Sequence, residues 1–266
     1  MSMSGRVLIV AGSDSGGGAG IQADLKTVTA LGGYAATAIT ALTAQNTQGV
    51  FGITGIEPAF IAQQMRVVLE DIGADCIKTG MLHNAATIVT VAEVLEATAA
   101  EIPLVVDPVM YAKGGDSLLD PAARETLIER LLPKAALITP NAREAESLSG
   151  LAIRQAEDLE TAARQLLRLG PAAVLVKGGH LPGATVTDWL VWRDGSRSFT
   201  APRSTSRNTH GTGCTLASAI TVSLAQGLNL SAAVERALDY VREAIRTAPD
   251  LGKGRGPLNH GHTLRP

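Results

Sequence analysis

Short apolar runs without polar alternation recur along the chain, and glycines cluster where these runs end. Strands that are apolar on both sides are typical of a parallel sheet covered on both faces. The pattern predicts strands at residues 7–11, 36–42, 76–78, 104–106, 135–139 and 174–176. Segments with helical spacing lie between them and predict helices at 19–31, 58–72, 85–99, 121–132 and 156–169. Pro58 and Pro121 suit the first turn of a helix, where the missing N–H is no loss.

The pattern changes in the last third of the chain. Residues 187–200 surround Asp194-Gly195 and predict a β-hairpin at an antiparallel edge of the sheet. Two alanine-rich helices are expected at 211–226 and 232–247. Alternating strands and helices imply right-handed crossovers, and the sequence contains no linker, repeat or low-complexity stretch. We therefore predict one α/β domain over residues 1–266, doubly wound around a mostly parallel sheet.

Composition narrows the function classes. Of 266 residues, 45% are hydrophobic and 18% charged, which is enough to build a sizeable core. The balance of 23 basic to 25 acidic residues and an aromatic content of 3% argue against a nucleic-acid-binding surface. No run approaches the roughly 20 apolar residues of a membrane helix, and the first apolar run is shorter than a secretory leader requires. Two cysteines suit a reducing compartment, so we expect a cytoplasmic protein without nucleic-acid or membrane partners.

The residues that follow each strand are the candidates for chemistry, because ligands bind at the carboxyl ends of strands in an open parallel sheet. A glycine-rich loop, residues 12–20, follows the first strand and allows a ligand to approach the backbone before a helix begins. Residues 18–23 fit a dinucleotide fingerprint, but no acidic residue lies between Asp24 and Glu57, so that fingerprint is incomplete. We favour a ligand-contacting loop over a simple turn. Asp24 is either functional or a solvated residue near the positive end of the helix dipole.

Polar side chains follow other strands as well. Residues 43–48 offer side-chain amides, which suit the edge of a neutral heterocycle but also an ordinary polar loop. Asp107 and Glu144 follow neighbouring strands and could share Mg²⁺ through waters, although each could equally be a helix cap or a first-turn acid. Lys177 precedes two glycines, and beside a metal site it becomes a candidate phosphate contact.

The sharpest pattern is NTHGTGCT at residues 208–215, directly before an apolar helix. The Gly-Thr-Gly at 211–213 would direct successive N–H groups at one point and form a nest for anionic charge. Cys214 would lie in the first helical turn, where the helix dipole lowers the pKa of a thiol. We therefore predict that Cys214 is partly ionised near neutral pH, so that its thiolate can accept a proton. Cys76, inside a strand, is interpreted as an inert small hydrophobe.

Seven segments in this order resemble the hydroxymethylpyrimidine/phosphomethylpyrimidine kinases of thiamine biosynthesis, within the ribokinase-like superfamily. They are AGSDSGGGAGIQADLK (11–26), ITALTAQNT (39–47), KTGM (78–81), DPVM (107–110), TPNARE (139–144), VKGGH (176–180) and NTHGTGCT (208–215). The resemblance implies a ribokinase-like three-layer α/β/α fold and a homodimer. It also implies two successive ATP- and Mg²⁺-dependent transfers. The first makes the monophosphate of 4-amino-5-hydroxymethyl-2-methylpyrimidine, and the second makes its diphosphate.

The same resemblance implies roles for individual residues. The pyrimidine would be bound by Gln45, helped by Gly12, Asp24, Met81 and Val109. ATP would face Asn141, Lys177 and Thr209. Mg²⁺ would be organised by Glu144; Asp107 is the second candidate ligand because of its place at the neighbouring strand end, not because of the resemblance. The anion hole would consist of Gly211, Thr212 and Gly213, with Cys214 as the base.

Three positions depart from the pattern of related kinases. Sugar-type relatives and many pyridoxal kinases carry aspartate where this chain has Cys214, which favours the pyrimidine branch without excluding pyridoxine-type substrates. Thr43 stands where an apolar residue such as valine is common, which could slightly reshape the pyrimidine pocket. Tyr111, beside a flap-like segment at 112–116, is a further difference to which we attach no consequence.

The resemblance leads to a step-specific hypothesis. A base matters for the first transfer, whose nucleophile is an alcohol, and less for the second, whose phosphate oxygen is already ionised. We therefore predict that Cys214→Ala impairs the first transfer more than the second. The alternatives are a pyridoxal/pyridoxine kinase of the same fold, a thiol acyl hydrolase that pairs Cys214 with His210, and a non-catalytic pyrimidine-binding regulator. A four-residue spacing across a glycine turn argues against the hydrolase dyad, which also needs an orienting group.

Overall fold

The central sheet contains nine strands among the residues that the computed structural model describes, 4–111, 118–120 and 122–264. The strands are β1 Arg6–Asp14, β2 Tyr34–Asn46, β3 Gly49–Gly55, β4 Cys76–Thr79, β5 Leu104–Val106, β6 Leu137–Ile138, β7 Ala173–Val176, β8 Thr185–Trp192 and β9 Gly195–Pro202. Their order across the sheet is β3-β2-β1-β4-β5-β6-β7-β8-β9. The continuous sheet supports one domain over the whole chain, which stays a prediction.

The strands from β2 to β7 run parallel, and both edges of the sheet are antiparallel. At one edge β3 pairs with β2, and at the other the β8–β9 hairpin continues from β7. The predicted mostly parallel sheet and its edge hairpin are therefore confirmed. The chain passes from β1 to β2 on one side and returns to β4 on the other, so the boundary between β1 and β4 is a switch point where a ligand crevice is expected.

The helices cover both faces of this sheet. They are α1 Gly20–Ala30, α2 Pro58–Asp71, α3 Ala85–Thr98, α4 Ala123–Thr126, α5 Ala142–Ser149, α6 Ala156–Leu167, α7 Thr212–Ala225 and α8 Leu230–Arg246. α4 continues into a π-helical turn, Leu127–Leu131, and a 3₁₀ turn, Leu132–Lys134. The helix predicted at 121–132 is therefore regular only over Ala123–Thr126, and it ends in the 3₁₀ turn that contains Pro133, which has no N–H with which to continue a helix. Pro121 and the flap-like segment 112–116 lie outside the described residues.

Alternate residues of one strand pack into opposite layers. Leu8 and Val10 join the core under α2 to α6, whereas Val7 and Ile9 pack with α1 and α7. Further along the sheet, Val105 packs with α7 and α8. Because helices cover both faces of the sheet, its central strands lack the alternation of polar and apolar residues that a half-exposed strand has. The three-layer α/β/α prediction is confirmed. No helix in the described part of the chain is both long and apolar enough to span a bilayer.

Two elements were not predicted from the sequence. β3 pairs with the end of β2, so residues 43–46 belong to a strand rather than to a loop that follows one. The three glycines of Gly49–Gly55 weaken its strand propensity and hide it from pattern reasoning. α5 spans only eight residues, and Leu148 is its one large apolar side chain, so its apolar face is too small to stand out in the sequence.

Candidate active site

Asp14, the last residue of β1, organises the glycine-rich loop. Its Oδ2 accepts hydrogen bonds from the backbone N–H groups of Gly18 at 3.1 Å and Ala19 at 2.8 Å, and its Oδ1 accepts one from Gly16 at 2.8 Å. His210 Nε2 lies 2.9 Å from the same Oδ2. Burial raises the pKa of the Asp14 carboxyl, but the hydrogen bonds from His210 and the loop outweigh it and hold that pKa below its ordinary value. An ionised carboxylate therefore joins the loop to the segment before α7.

A close backbone approach fixes the start of α7. Gly211 has φ of +80°, and a Cβ placed there would lie 1.8 Å from the carbonyl oxygen of Gly18. Only glycine fits this position. Thr212 Oγ1 donates to the Thr209 carbonyl at 2.7 Å, and no side chain among the described residues caps the helix. The Thr212 N–H already donates to the Thr209 carbonyl at 3.4 Å, so the N–H groups of Gly213 and Cys214 are the ones in this turn best placed for an anion.

A buried ion pair lies beside the same turn. Lys177 Nζ, after β7, is 3.0 Å from Asp107 Oδ1, after β5, and Thr139 Oγ1 donates to that oxygen at 3.1 Å. Burial works to lower the pKa of Lys177, but Asp107 and Glu144 outweigh it and raise that pKa. A Cβ at Gly213 would lie 3.3 Å from Lys177 Nζ. The ends of β5 and β7 thus meet the start of α7, with a permanent positive charge at their junction.

Glu144 and Asn141 form a capping box at the start of α5. Asn141 Oδ1 accepts from the Glu144 N–H at 3.0 Å, and Glu144 Oε2 accepts from the Asn141 N–H at 2.8 Å. The capping alternative for Glu144 is therefore confirmed, and its metal role stays a prediction. Burial raises the pKa of Glu144 to about 7, with a further rise from Asp107 and an opposing effect from Lys177.

The two carboxylates fit a Mg²⁺ ion that is shared with a nucleotide. Asp107 and Glu144 are each 3% exposed, and the charge of the first disfavours ionisation of the second. A dication would relieve this repulsion. Mg²⁺ commonly binds one or two carboxylates together with phosphate oxygens and waters. Among the described residues no three His, Cys, Asp or Glu side chains form a metal-holding group, so nucleotide oxygens would have to complete the ligand set.

Gln45 is fixed at both its backbone and its side chain. Ser15 Oγ accepts from the Gln45 N–H at 2.8 Å and donates to the Gln45 carbonyl at 2.9 Å. One end of the Gln45 amide lies 3.1 Å from Thr43 Oγ1, and the other end lies 3.3 Å from His210 Nε2. Gln45 is half-buried, so part of the amide faces solvent. The structure therefore brings a strand-end amide to the segment that precedes α7.

The other residues expected around the pyrimidine lie at the switch point. A Cβ at Gly12, in β1, would be 3.0 Å from Met81 Sδ, just after β4. Met81 is buried and Val109 is half-buried after β5. These three residues thus lie at the carboxyl ends of neighbouring strands, where the sequence places them.

The structure corrects the position expected for Asp24. Its carboxylate is fully buried, with Oδ2 2.8 Å from Lys78 Nζ and Oδ1 accepting from Ser218 Oγ at 2.7 Å. Burial raises the pKa of Asp24, and Lys78 opposes that effect. Lys78, inside β4, is itself fully buried and needs a counter-charge. Asp24 supplies that charge from beneath the site, and no part of its side chain is exposed to a ligand.

The structure also corrects the pKa expected for Cys214. Burial raises the pKa of this thiol to about 12, although Lys78 lowers it. Desolvation thus exceeds the helix-dipole effect on which the sequence argument relied. The residue as a whole is half-buried at the start of α7, while the thiol itself is desolvated. In the described part of the chain no hydrogen bond joins His210 to Cys214, which removes the dyad that a hydrolase would need.

Sequence reasoning missed the pairing of Asp14 with His210. The available signal was an aspartate at the start of a glycine run, where its carboxylate commonly accepts from the following N–H groups. Nothing in the sequence connects it to a histidine 196 residues away.

Comparison with known proteins gives consistent relatives. The sequence model of the phosphomethylpyrimidine kinase family matches residues 14–259. A hydroxymethylpyrimidine/phosphomethylpyrimidine kinase of Streptomyces coelicolor is 49% identical over 97% of this chain and 95% of its own. The thiamine biosynthesis bifunctional protein ThiED of Geobacter sulfurreducens is 55% identical over 96% of this chain. The chain spans only 52% of that longer relative.

Solved structures agree on the fold. A crystal structure of phosphomethylpyrimidine kinase from Clostridium difficile is 43% identical, with a TM-score of 0.81 over 90% of this chain and 99% of the other. A pyridoxal kinase from Staphylococcus aureus in complex with ADP is 37% identical, with a TM-score of 0.91 over 98% of this chain and 95% of the other. The ribokinase-like architecture expected from the sequence is thereby confirmed.

Proposed function

The chain belongs to the phosphomethylpyrimidine kinase family, and we propose that one site at its switch point carries out both phosphoryl transfers on the pyrimidine. The protein is a kinase of thiamine biosynthesis that uses ATP as its co-substrate. The roles of the individual residues, the metal and the assembly belong to the proposal. In each transfer an oxygen of the pyrimidine substrate bonds to the γ-phosphorus of ATP, and the bond to the bridging oxygen breaks and leaves ADP.

The proposal assigns pyrimidine binding to the strand ends around β1. Gln45 presents its amide to the ring edge, and Gly12, Met81 and Val109 form the apolar surroundings. Asp24 is reassigned to the layer beneath, where it holds Lys78 through the 2.8 Å ion pair. Position and orientation are the main requirements here, because a held substrate reacts much faster than one that must be found in solution.

The phosphates of ATP are assigned to the other side of the turn at residues 211–213. Asn141, Lys177 and Thr209 face ATP, and the N–H groups of Gly211, Thr212 and Gly213 receive the negative charge of the group in transfer. Glu144 and Asp107 would hold Mg²⁺, which supplies charge neutralisation between the phosphates when bound. Lys177 contributes a fixed positive charge that needs no proton exchange during the reaction.

Cys214 is assigned to the substrate hydroxyl in the first transfer. With a pKa of about 12 the sulfur is protonated in the free protein, so only a small thiolate fraction accepts the hydroxyl proton. A base of high pKa compensates in part, because the rate depends on the product of base strength and the fraction in the active form. Lys78 increases that fraction from beneath the site. The second transfer needs no such base, since its phosphate nucleophile is already ionised.

One observation carries the proposal: both halves of the site converge on residues 208–215. Gln45 reaches His210 at 3.3 Å, and Gly213 lies against Lys177. A ring held by Gln45 and a phosphate held at the start of α7 would therefore be neighbours. A regulator that only binds pyrimidine has no use for the buried Asp107–Lys177 pair, which the kinase assignment explains.

The test is incubation of the protein with ATP, Mg²⁺ and 4-amino-5-hydroxymethyl-2-methylpyrimidine, with the products followed by mass spectrometry. We expect the monophosphate first and the diphosphate later. A second candidate, pyridoxal kinase activity, is favoured by the similarity to the ADP-bound pyridoxal kinase. A higher kcat/KM with pyridoxal than with the pyrimidine would transfer the assignment to that activity, and ligand binding without ATP turnover would refute both.

We also propose a homodimer in the cytoplasm. Leu42 is 46% exposed and Phe51 is 72% exposed on the paired strands β2 and β3, at an edge where exposed apolar side chains favour association. The two cysteines are free thiols, which suits a reducing compartment. Sedimentation equilibrium at micromolar concentration should give twice the 27.5 kDa chain mass, and a monomer would refute the dimer.

A further inference from the structure

The loop that follows Lys177 is held by two side chains that have no role in the proposed function, one from β8 and one from just after β9. This loop, residues 178–183, connects β7 to β8 and contains no helix or strand. Gly179, Pro182 and Gly183 are exposed. Exposed glycines have much conformational freedom to lose, so the loop needs contacts from outside to stay ordered.

Asp188, in β8, fixes the start of the loop. Its Oδ1 accepts from the Gly178 N–H at 2.8 Å, and its side chain is buried. A Cβ at Gly178 would lie 2.0 Å from the Thr187 carbonyl oxygen, so the backbone of the loop passes directly against β8. Burial raises the pKa of Asp188, and the Gly178 N–H and the charge of Lys177 oppose that rise. The first residue of the loop is therefore fixed beside Lys177.

Arg203, the first residue after β9, holds the rest of the loop. Its Nε donates to the Gly183 carbonyl at 2.7 Å. Its two terminal nitrogens donate to the carbonyls of Gly179, at 2.8 Å, and Leu181. A planar guanidinium presents its donors in a rigid fork, which a lysine ammonium cannot reproduce. One rigid group thus binds three alternate carbonyls of an exposed loop.

We propose that Arg203 is a positioning residue for the nucleotide, because it orders the 178–183 loop beside Lys177 before ATP binds. This inference rests on the proposed function, in which Lys177 faces ATP. A site that is already ordered binds its ligand more tightly, since none of the binding free energy is then used to order the loop.

The effect should be confined to the nucleotide. The pyrimidine is assigned to the strand ends around β1, and three strands, β4, β5 and β6, separate β1 from β7 in the sheet. Arg203 contacts only the loop that leaves β7 and the neighbouring Ala184, whose carbonyl accepts from the Arg203 backbone N–H at 2.8 Å. Arg203 therefore acts on the affinity for ATP and ADP rather than on the affinity for the pyrimidine.

The test compares Arg203→Gln with wild type by calorimetric titration with ADP and by steady-state kinetics. We expect the Kd for ADP and the KM for ATP to rise roughly 5- to 20-fold, because nucleotide binding must then order the loop. The KM for the pyrimidine should stay within about twofold of wild type. In hydrogen–deuterium exchange without ADP, the N–H groups of residues 178–184 should exchange faster in the variant, while those of β8 and β9 keep their protection.

Two further variants separate the fork from the charge and from the hairpin. Arg203→Lys keeps the charge without the fork, so it should weaken ADP binding by less than Arg203→Gln but by more than twofold. It also serves if the glutamine variant fails to fold. Arg197→Gln is the matched control, because Arg197 lies on β9 and pairs with Glu235 of α8 instead of the loop. Its Kd for ADP should equal that of wild type.

Three outcomes would overturn the inference: unchanged ADP affinity in Arg203→Gln, wild-type ADP affinity in Arg203→Lys, or equal losses of affinity for the nucleotide and the pyrimidine. In each case, turnover of the pyrimidine by the wild-type enzyme would still uphold the proposed function. A wild-type enzyme without pyrimidine turnover would overturn the proposed function instead.

Discussion

The two sides of the candidate site are built from different interactions. The pyrimidine side, formed by Asp14, Gln45 and His210, consists of hydrogen bonds in which an amide, a hydroxyl and backbone groups satisfy one another. The phosphate side, formed by Asp107, Glu144 and Lys177, consists of charges buried close together. The first kind of site selects the pattern of a ring edge, and the second favours charged ligands.

Two carboxyl groups make this difference measurable. The pKa of Asp14 is held below its ordinary value because three backbone N–H groups and His210 donate to it, despite burial that raises it. Burial raises the pKa of Glu144 to about 7, and the nearby Asp107 adds to that rise. A carboxylate with its full set of donors is structural, whereas one left short of positive charge attracts a cation.

The largest effect is expected where both sides meet, in Gly211→Ala. The new Cβ would lie 1.8 Å from the Gly18 carbonyl oxygen and must displace either the glycine-rich loop or the start of α7. We expect kcat/KM to fall by roughly 10²- to 10³-fold, since the anion-binding N–H groups lose their positions. Steady-state kinetics measure the loss of activity, and urea denaturation measures the accompanying loss of unfolding free energy.

Gly227→Ala is the matched control. Its φ of +86° imposes the same backbone strain, and a Cβ there meets nothing within 4 Å. This variant should lose about 1–2 kcal/mol of unfolding free energy and keep its activity. Equal activity losses in both variants would show that strain, rather than the contact with Gly18, is responsible.

Cys214→Ala should separate the two transfers. The first should slow by roughly 10²-fold and the second by less than about tenfold, because only the alcohol needs a base. Quenched-flow measurement with each substrate gives both rates. In the wild-type enzyme kcat/KM for the first transfer should keep rising above pH 8, since burial raises the thiol pKa to about 12.

The control is Cys76→Ala, a buried thiol in β4 that should affect stability and leave the ratio of the two rates unchanged. A rate plateau near pH 7 would mean that the helix dipole outweighs burial at Cys214. Equal slowing of both transfers with intact binding would remove the thiol from the role of base.

The sequence predicted elements and strand ends well, because apolar runs and glycines are local signals. It placed Gly12, Gln45, Asp107, Lys177 and Cys214 at the carboxyl ends of the parallel strands, and the structure brings them to that end of the sheet. Burial was not predictable in the same way. Asp24 in a helix and Lys78 in a strand carry no local sign that they form an ion pair, since their contact joins residues 54 apart.

The pKa of Cys214 shows the same limit. Its place in the first turn of a helix was predictable, but the desolvation around it depends on strands that are distant in sequence. The second edge strand, β3, was missed because its glycines remove the propensity signal, although it holds the end of β2 on which Gln45 lies.

Glu144→Gln should affect the phosphate side alone. Glutamine preserves the capping box, so α5 remains capped, while the negative charge is lost. We expect the apparent KM for Mg²⁺-ATP at pH 8 to rise roughly tenfold with little change in the KM for the pyrimidine. In the wild type this affinity should weaken as pH falls below 7, because Glu144 becomes protonated, and the variant should lack that dependence.

The stability of the folded protein should depend on pH in the opposite direction to the affinity for Mg²⁺-ATP. The folded-state pKa of about 7 exceeds the ordinary 4.5, so the folded protein binds the proton more tightly and loses stability as pH rises between these values. Glu144→Gln removes that loss. Its free energy of unfolding relative to wild type should therefore rise by on the order of 2 kcal/mol as pH increases from 5 to 8. Glu157→Gln, on an exposed turn of α6, is the control. A pH-independent difference in unfolding free energy would contradict the raised pKa.

The smallest effect on activity is expected from Ser218→Ala, which tests the corrected position of Asp24. Ser218 Oγ donates to Asp24 Oδ1 at 2.7 Å, and both side chains are fully buried. Loss of this hydrogen bond to a charged group should lower the unfolding free energy by about 1–3 kcal/mol. Because Asp24 lies beneath the site and stays paired with Lys78, KM for the pyrimidine should change by less than about twofold.

Thr221→Val on the same helix is the comparison, since its buried hydroxyl donates only to the Ala217 carbonyl of the preceding turn. It should lose less stability than Ser218→Ala, because that carbonyl already accepts within the helix. If Ser218→Ala instead raised KM for the pyrimidine tenfold while Thr221→Val did not, Asp24 would have to reach the substrate in the bound state. The pyrimidine side would then contain a buried charge after all, and the contrast with the phosphate side would be one of degree.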